Sequence, residues 1–126
     1  MKIGLIGAGR LGICLALLIE KAGYEVLASD NRVDYINSLQ KGIIDTAEPE
    51  VQQYLSDAKN IEFTTDNTRV IAECDLIFTL VATPSLKDGS YDVSAVWKVI
   101  DDFKEIPILL DEKSLVIGCT TNPGAV

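Results

Sequence analysis

The chain has 126 residues, enough for one domain that removes roughly two thirds of its unfolded surface from water. Hydrophobic residues make up 48% and charged residues 24%, with 11 Lys and Arg against 19 Asp and Glu for a formal charge of −8, which argues against disorder and against a nucleic-acid partner. The lack of any histidine excludes Ser-His-Asp and Cys-His nucleophile chemistry, and histidine-ligated metal, within these residues.

Residues 2–7 are a short apolar run ending in glycine, which reads as a buried parallel strand. A helix is expected over 10–22, stopped by Gly23 as a left-handed C′ residue. Apolar side chains nearly all round it, at Leu11, Ile13, Leu15, Leu17, Leu18 and Ile19, predict burial on more than one side. Residues 25–29 form a second strand. The next helix, over 32–41, carries Val33, Ile36 and Leu39 and stops at Gly42.

Pro49 suits the first turn of a short helix running to Leu55. Residues 61–64 then read as a strand, Asp66 as the N-cap of a helix to Glu73, and 76–81 as a strongly apolar strand. A polar loop over 82–91 with an Asp88-Gly89 turn leads into a helix over 92–103 that buries Val93, Val96, Trp97, Ile100 and Phe103. A last strand, 115–118, follows Pro107.

Five strands alternating with helices predict an α/β fold with a doubly wound parallel sheet of Rossmann type, in strand order 3-2-1-4-5. The sequence stops just past the fifth strand with no closing element, so residues 1–126 are expected to be the first domain of a longer protein. The longest apolar stretch, residues 11–19, falls short of the roughly 20 a membrane span needs, and a soluble, cytoplasmic protein is expected. Cys14, Cys74 and Cys119 share no C-x-x-C spacing and lie in apolar segments, which predicts small buried hydrophobes rather than disulfides or a zinc site.

The strongest chemical signal is Gly7-Ala8-Gly9-Arg10-Leu11-Gly12, a G-x-G-x-x-G between the first strand and the first helix. Gly7 permits the tight turn, Gly9 lets the backbone approach a pyrophosphate, and Gly12 lets the helix pack close to the sheet. The helix N-terminus supplies free N–H donors and partial positive charge to the phosphates. Asp30 closes the second strand, where a carboxylate accepts the adenosine ribose hydroxyls and repels a 2′-phosphate, so NAD is favoured over NADP. Arg32 either pairs with a 2′-phosphate or is simply solvated.

With these residues placed, the chain resembles the N-terminal NAD-binding domain of the UDP-glucose and GDP-mannose 6-dehydrogenase family across nearly its whole length. The likeness includes Glu48-Pro49, Phe63-Thr64-Thr65-Asp66, the loop Val81-Ala82-Thr83-Pro84-Ser85 with Asp88-Gly89 and Asp92-Val93-Ser94, and Cys119-Thr120-Thr121-Asn122-Pro123-Gly124. The resemblance implies that Val81, Thr83 and Pro84 lie along the cofactor and that Thr120 is a polar contact near the nicotinamide and the reacting centre. Together with Gly7, Gly9, Arg10, Leu11, Gly12, Asp30, Arg32 and Tyr35, these are the candidate cofactor residues. Two departures stand out: Arg10 replaces the family's usual aromatic residue, and Tyr35 replaces a lysine that reaches the ribose.

Family members oxidise the C6 alcohol of a sugar nucleotide to a carboxylate with two NAD, through a thiol-bound intermediate. By resemblance, the catalytic cysteine, lysine and carboxylate lie beyond Val126, in a substrate domain joined by a linker helix that also forms the family's homodimer. Cys119 sits where the family carries serine or another small residue, and no base is apparent beside it. The chain alone is therefore expected to bind NAD and turn over nothing, with no metal, and to meet its sugar nucleotide through the missing domain. A stand-alone NAD-binding or redox-sensing module is the alternative; a hydroxyacid-type dehydrogenase is disfavoured by the Thr-Pro and Asn-Pro-Gly loops.

Overall fold

The computed structural model describes residues 1–106 and 112–125. The elements run β1 (Lys2–Ile6), α1 (Arg10–Lys21), β2 (Glu25–Ser29), α2 (Val33–Gln40), α3 (Val51–Asp57), β3 (Ile61–Thr64), α4 (Asn67–Glu73), β4 (Leu76–Thr79), α5 (Ser94–Glu105) and β5 (Ser114–Ile117). The strands form one parallel sheet in the order β3-β2-β1-β4-β5, as expected. Pro107 and Val126 lie outside the described residues.

Alternation along each strand divides the core in two. Ile3 and Leu5 of β1 and Val26 and Ala28 of β2 face α1, α2 and α3, where Ile13, Leu17, Ile36, Leu39 and Leu55 are buried. Ile6 and Leu27 face the other way, onto Val70 and Ile71 of α4 and Val99 and Phe103 of α5. Gly4 is needed on that second face, because a Cβ there would stand 2.6 Å from Val70 Cγ1.

The helix ends follow local chemistry. Gly23 and Gly42, both at positive φ, terminate α1 and α2, and the Asp66 carboxylate accepts the Thr68 N–H at 2.9 Å to cap α4. Other expectations need correction. Helix α1 buries Gly12, Ile13, Ala16 and Leu17 and packs Leu15 and Ile19 partly against the core, but Leu11 is 66% and Leu18 54% exposed, so its covered face is narrower than expected. Val33 and Trp97 are likewise exposed, and Val99 joins Val96 and Phe103 as the buried set of α5. Pro49 precedes the first turn of α3 rather than entering it, since the helix starts at Val51 after Glu50 in the left-handed region.

Strand β4 ends at Thr79, two residues before the apolar run does, so Leu80 and Val81 belong to the loop above the sheet. Of the cysteines, Cys74 is buried and its thiol is pushed up to about 11 by that burial, whereas Cys14 and Cys119 are only partly covered. No helix among the described residues is long and apolar enough to cross a membrane.

Candidate dinucleotide-binding site

The carboxyl ends of the strands lie in register: Ile6 pairs with both Ser29 and Thr79, Ser29 with Thr64, and Thr79 with Ile117. After β1 the chain winds towards β2 and β3; after β3 it returns to β4 on the other side of β1. The crevice between the loops above β1 and β4 is the topological switch point, where ligands of open parallel sheets bind. A cavity of about 490 Å³ opens there. Its lining includes Gly7, Gly9 and Asp30 from the ends of β1 and β2, Val81 and Ala82 from the loop after β4, and Asn67, Ala95 and Lys98 from the starts of α4 and α5.

The three glycines of the turn face three different surroundings. Gly7 has φ +102 and a Cβ on it would meet Leu80 O at 2.7 Å, so the turn is pressed against the loop after β4. Gly12 sits under the turn, with a Cβ position 2.0 Å from Gly7 O. Gly9, the N-cap of α1, has nothing within 4 Å of its Cβ position, so a bulky group can reach its backbone from the cavity. The first intrahelical bond runs from Ile13 N–H to Gly9 O at 2.8 Å, which leaves the N–H groups of Arg10, Leu11 and Gly12 without intrahelical acceptors. These donors, with the helix dipole, suit an anion over Gly9.

Beside the turn stands a side-chain cluster from the end of β2 and the start of α2. Asp30 Oδ2 accepts the Ala8 N–H at 3.3 Å, and the Tyr35 hydroxyl donates to Ala8 O at 2.6 Å, so both polar atoms of Ala8 are held. Arg32 forks onto Asp30, with Nε to Oδ1 at 2.8 Å and Nη2 to Oδ2 at 3.0 Å, and its guanidinium lies 4.2 Å from the centre of the Tyr35 ring. Burial pushes the Asp30 carboxyl up, but the Arg32 and Ala8 hydrogen bonds and the Arg32 charge outweigh it and hold the group below the usual range. Burial pushes the Tyr35 phenol up. Arg32 is therefore held on Asp30 and Tyr35 rather than freely solvated.

The loop after β4 is stiffened by its own bonds. Ser85 bridges Tyr91, Leu86 N–H donates to Ser90 O at 2.7 Å, and Gly89 takes the expected turn with φ +88. Pro84 O accepts the Asp92 N–H at 2.8 Å. The loop after β5 is tied down by Trp97 Nε1–H, which donates to Ala125 O at 3.1 Å, and by Cys119 Sγ–H, which donates to Thr79 O at 3.3 Å. Burial pushes the Cys119 thiol up, against a weaker downward pull from the Val81 amide.

Of the sequence candidates, Gly7, Gly9, Asp30, Arg32 and Val81 line the cavity. Gly12 and Tyr35 act one layer behind, on the turn itself, and Arg10, Leu11, Thr83, Pro84 and Thr120 lie outside the cavity lining. Asn67, Ala95 and Lys98 were not legible as site residues. Asn67 is held by Ser29 Oγ–H, which donates to its Oδ1 at 2.7 Å and orients the amide from beneath. Among the described residues no group of three or more metal-ligating side chains comes together.

An open parallel sheet in this order, with a glycine turn opening a helix at its switch point, defines a dinucleotide-binding domain of Rossmann type. The chain belongs to the UDP-glucose/GDP-mannose dehydrogenase family, whose NAD binding domain model matches residues 1–126. The protein YtcA of Bacillus subtilis (strain 168) is 32% identical over 124 residues, and the UDP-glucose 6-dehydrogenase of Rhizobium meliloti (strain 1021) 31% over 127; each match covers 98% of this chain. The crystal structure of a ternary complex of the Pseudomonas aeruginosa GDP-mannose dehydrogenase superposes with a TM-score of 0.87 at 25% identity, covering 98% of this chain and 29% of that one. The chain spans 28% of the length of each of those two relatives. The family is one of oxidoreductases, and NAD is the cofactor of this domain.

Proposed function

We propose that the chain holds NAD across the carboxyl edge of its sheet, on behalf of a longer protein that oxidises the C6 alcohol of a UDP- or GDP-sugar to the carboxylate with two NAD. The pyrophosphate rests over Gly9 against the N–H groups of Arg10, Leu11 and Gly12, with Gly7 shaping the turn. Asp30 receives the adenosine ribose, and Arg32 and Tyr35 complete that corner. Val81, Thr83 and Pro84 line the path towards the nicotinamide, and Thr120 is a polar contact at the reacting end. When bound, NAD accepts the hydride. The residues of this chain bind and orient it.

The observation that carries this reading is the open space over Gly9 beside unpaired helix N–H groups. Among the described residues the Cys119 thiol is a poor nucleophile, because burial pushes its pKa up and it donates to Thr79 O. The sugar nucleotide and the catalytic groups therefore belong to the remainder of the protein, and the chain alone catalyses no oxidation. Calorimetric titration with NAD and with ADP-ribose tests the site, using Gly9→Val as the control. Binding to the unmodified chain that is lost in a folded Gly9→Val variant supports the reading; equal binding by both refutes it. Sugar-nucleotide oxidation by the 126-residue chain would refute the assignment of catalysis to the remainder.

A further inference from the structure

The Asp30 carboxylate is already full. Oδ1 accepts the Arg32 N–H at 3.0 Å and Nε–H at 2.8 Å, and Oδ2 accepts the Ala8 N–H at 3.3 Å and Arg32 Nη2–H at 3.0 Å. A carboxylate offers about four lone-pair positions, so a ribose diol can be accepted only where the Arg32 fork lets go. The fork is no loose surface pair. Its guanidinium is stacked at 4.2 Å on Tyr35, and the Tyr35 hydroxyl is anchored to Ala8 O. Both residues line the cavity, and with the Asp30 side chain 9% exposed and that of Arg32 57%, the guanidinium is the more accessible of the two groups.

We propose that Arg32 sets the choice between NAD and a dinucleotide bearing a 2′-phosphate. By holding Asp30 it competes with the ribose diol of NAD, and by covering the carboxylate it removes the repulsion that would otherwise exclude the phosphate. Its third nitrogen, Nη1, makes no hydrogen bond among the described residues and can meet the phosphate directly. The inference rests on the placement of the adenosine ribose at Asp30 given above. It makes NAD and NADP bind within about tenfold of each other, although a bare aspartate at this position discriminates against the phosphate.

Calorimetric titration of the chain and of its Arg32→Ala and Arg32→Gln variants with NAD and NADP tests this. Arg32 is exposed and outside the core, and Arg32→Gln keeps a long polar side chain if Arg32→Ala disturbs the loop. In both variants NAD should bind more tightly and NADP more weakly, raising the ratio of their dissociation constants by about tenfold. A ratio that rises by less than about threefold, or weaker NAD binding in the variants, overturns the role of Arg32 while leaving the site in place. Absence of binding of either dinucleotide to the unmodified chain overturns both the site and this inference.

Discussion

Gly12→Ala isolates the contact that fixes the glycine turn, and its cost can be worked from the geometry. The added Cβ would lie 2.0 Å from Gly7 O and 3.0 Å from Gly7 C, where an ordinary contact is 3.4 Å or more. Both atoms are backbone, so no side chain can swing aside. Gly7 has little room to give, because it packs close enough to Leu80 that a Cβ on it would stand 2.7 Å from Leu80 O. Helix α1 must instead lift from the sheet, loosening Ile13, Ala16 and Leu17, which are 2%, 0% and 1% exposed. Overpacking of this kind costs about 1–3 kcal/mol or more, and the better helix propensity of alanine returns only about 1 kcal/mol.

With the lost packing of α1 included, the expected loss is about 3 kcal/mol, or roughly 10 °C in Tm for a domain of this size. Urea unfolding followed by circular dichroism measures it, with Gly9→Val as the comparison. That second substitution meets open space and should cost only about 1 kcal/mol, from the poorer N-cap. If Gly12→Ala were no less stable than Gly9→Val, the close approach of α1 to the turn would not be what selects glycine at position 12.

Three further outcomes follow from single groups. Thr79 Oγ1 is buried with no hydrogen-bond partner among the described residues, so Thr79→Val should raise the urea midpoint, by about 1 kcal/mol of stability; a lower midpoint would show that the hydroxyl is satisfied in solution. Tyr35→Phe removes the bond to Ala8 O and should cost about 1 kcal/mol while weakening NAD binding; unchanged values for both would show that the clamp on the turn is idle. The Asp30 carboxyl is held below its unfolded range, so its contribution is present above the unfolded pKa of about 4 and is lost as pH falls through the folded value. The stability gap between the unmodified chain and Asp30→Asn should therefore narrow between pH 7 and pH 3, and a gap independent of pH would contradict the pairing.

The sheet order and the glycine turn were legible because each rests on a backbone demand that few residues meet. Positive φ at Gly7, Gly23 and Gly42 and the cap at Asp66 are local, and the sequence shows them directly. The exposure of Leu11 and Leu18 was not legible, since periodicity reports how apolar a helix is and not how many neighbours arrive to cover it. The Tyr35 bond to Ala8 joins residues 27 apart in sequence, and Asn67 and Lys98 reach the cavity only because α4 and α5 begin beside the switch point.

Nor could the Arg32 fork be read from spacing alone. Two residues apart in a loop, an acid and a base meet only if the backbone folds back, which here follows from the Asp30 carboxylate accepting the Arg32 N–H and from the Tyr35 ring lying beneath the guanidinium. The two halves of the site thus differ in kind. The turn over Gly7 and Gly12 is backbone caught between a helix and a strand end, and a substitution there lowers the stability of the whole domain. The corner at Asp30 is built from side chains at the end of β2 and the start of α2, and Arg32 there is exposed, so a substitution at position 32 leaves the sheet intact and acts on the ligand.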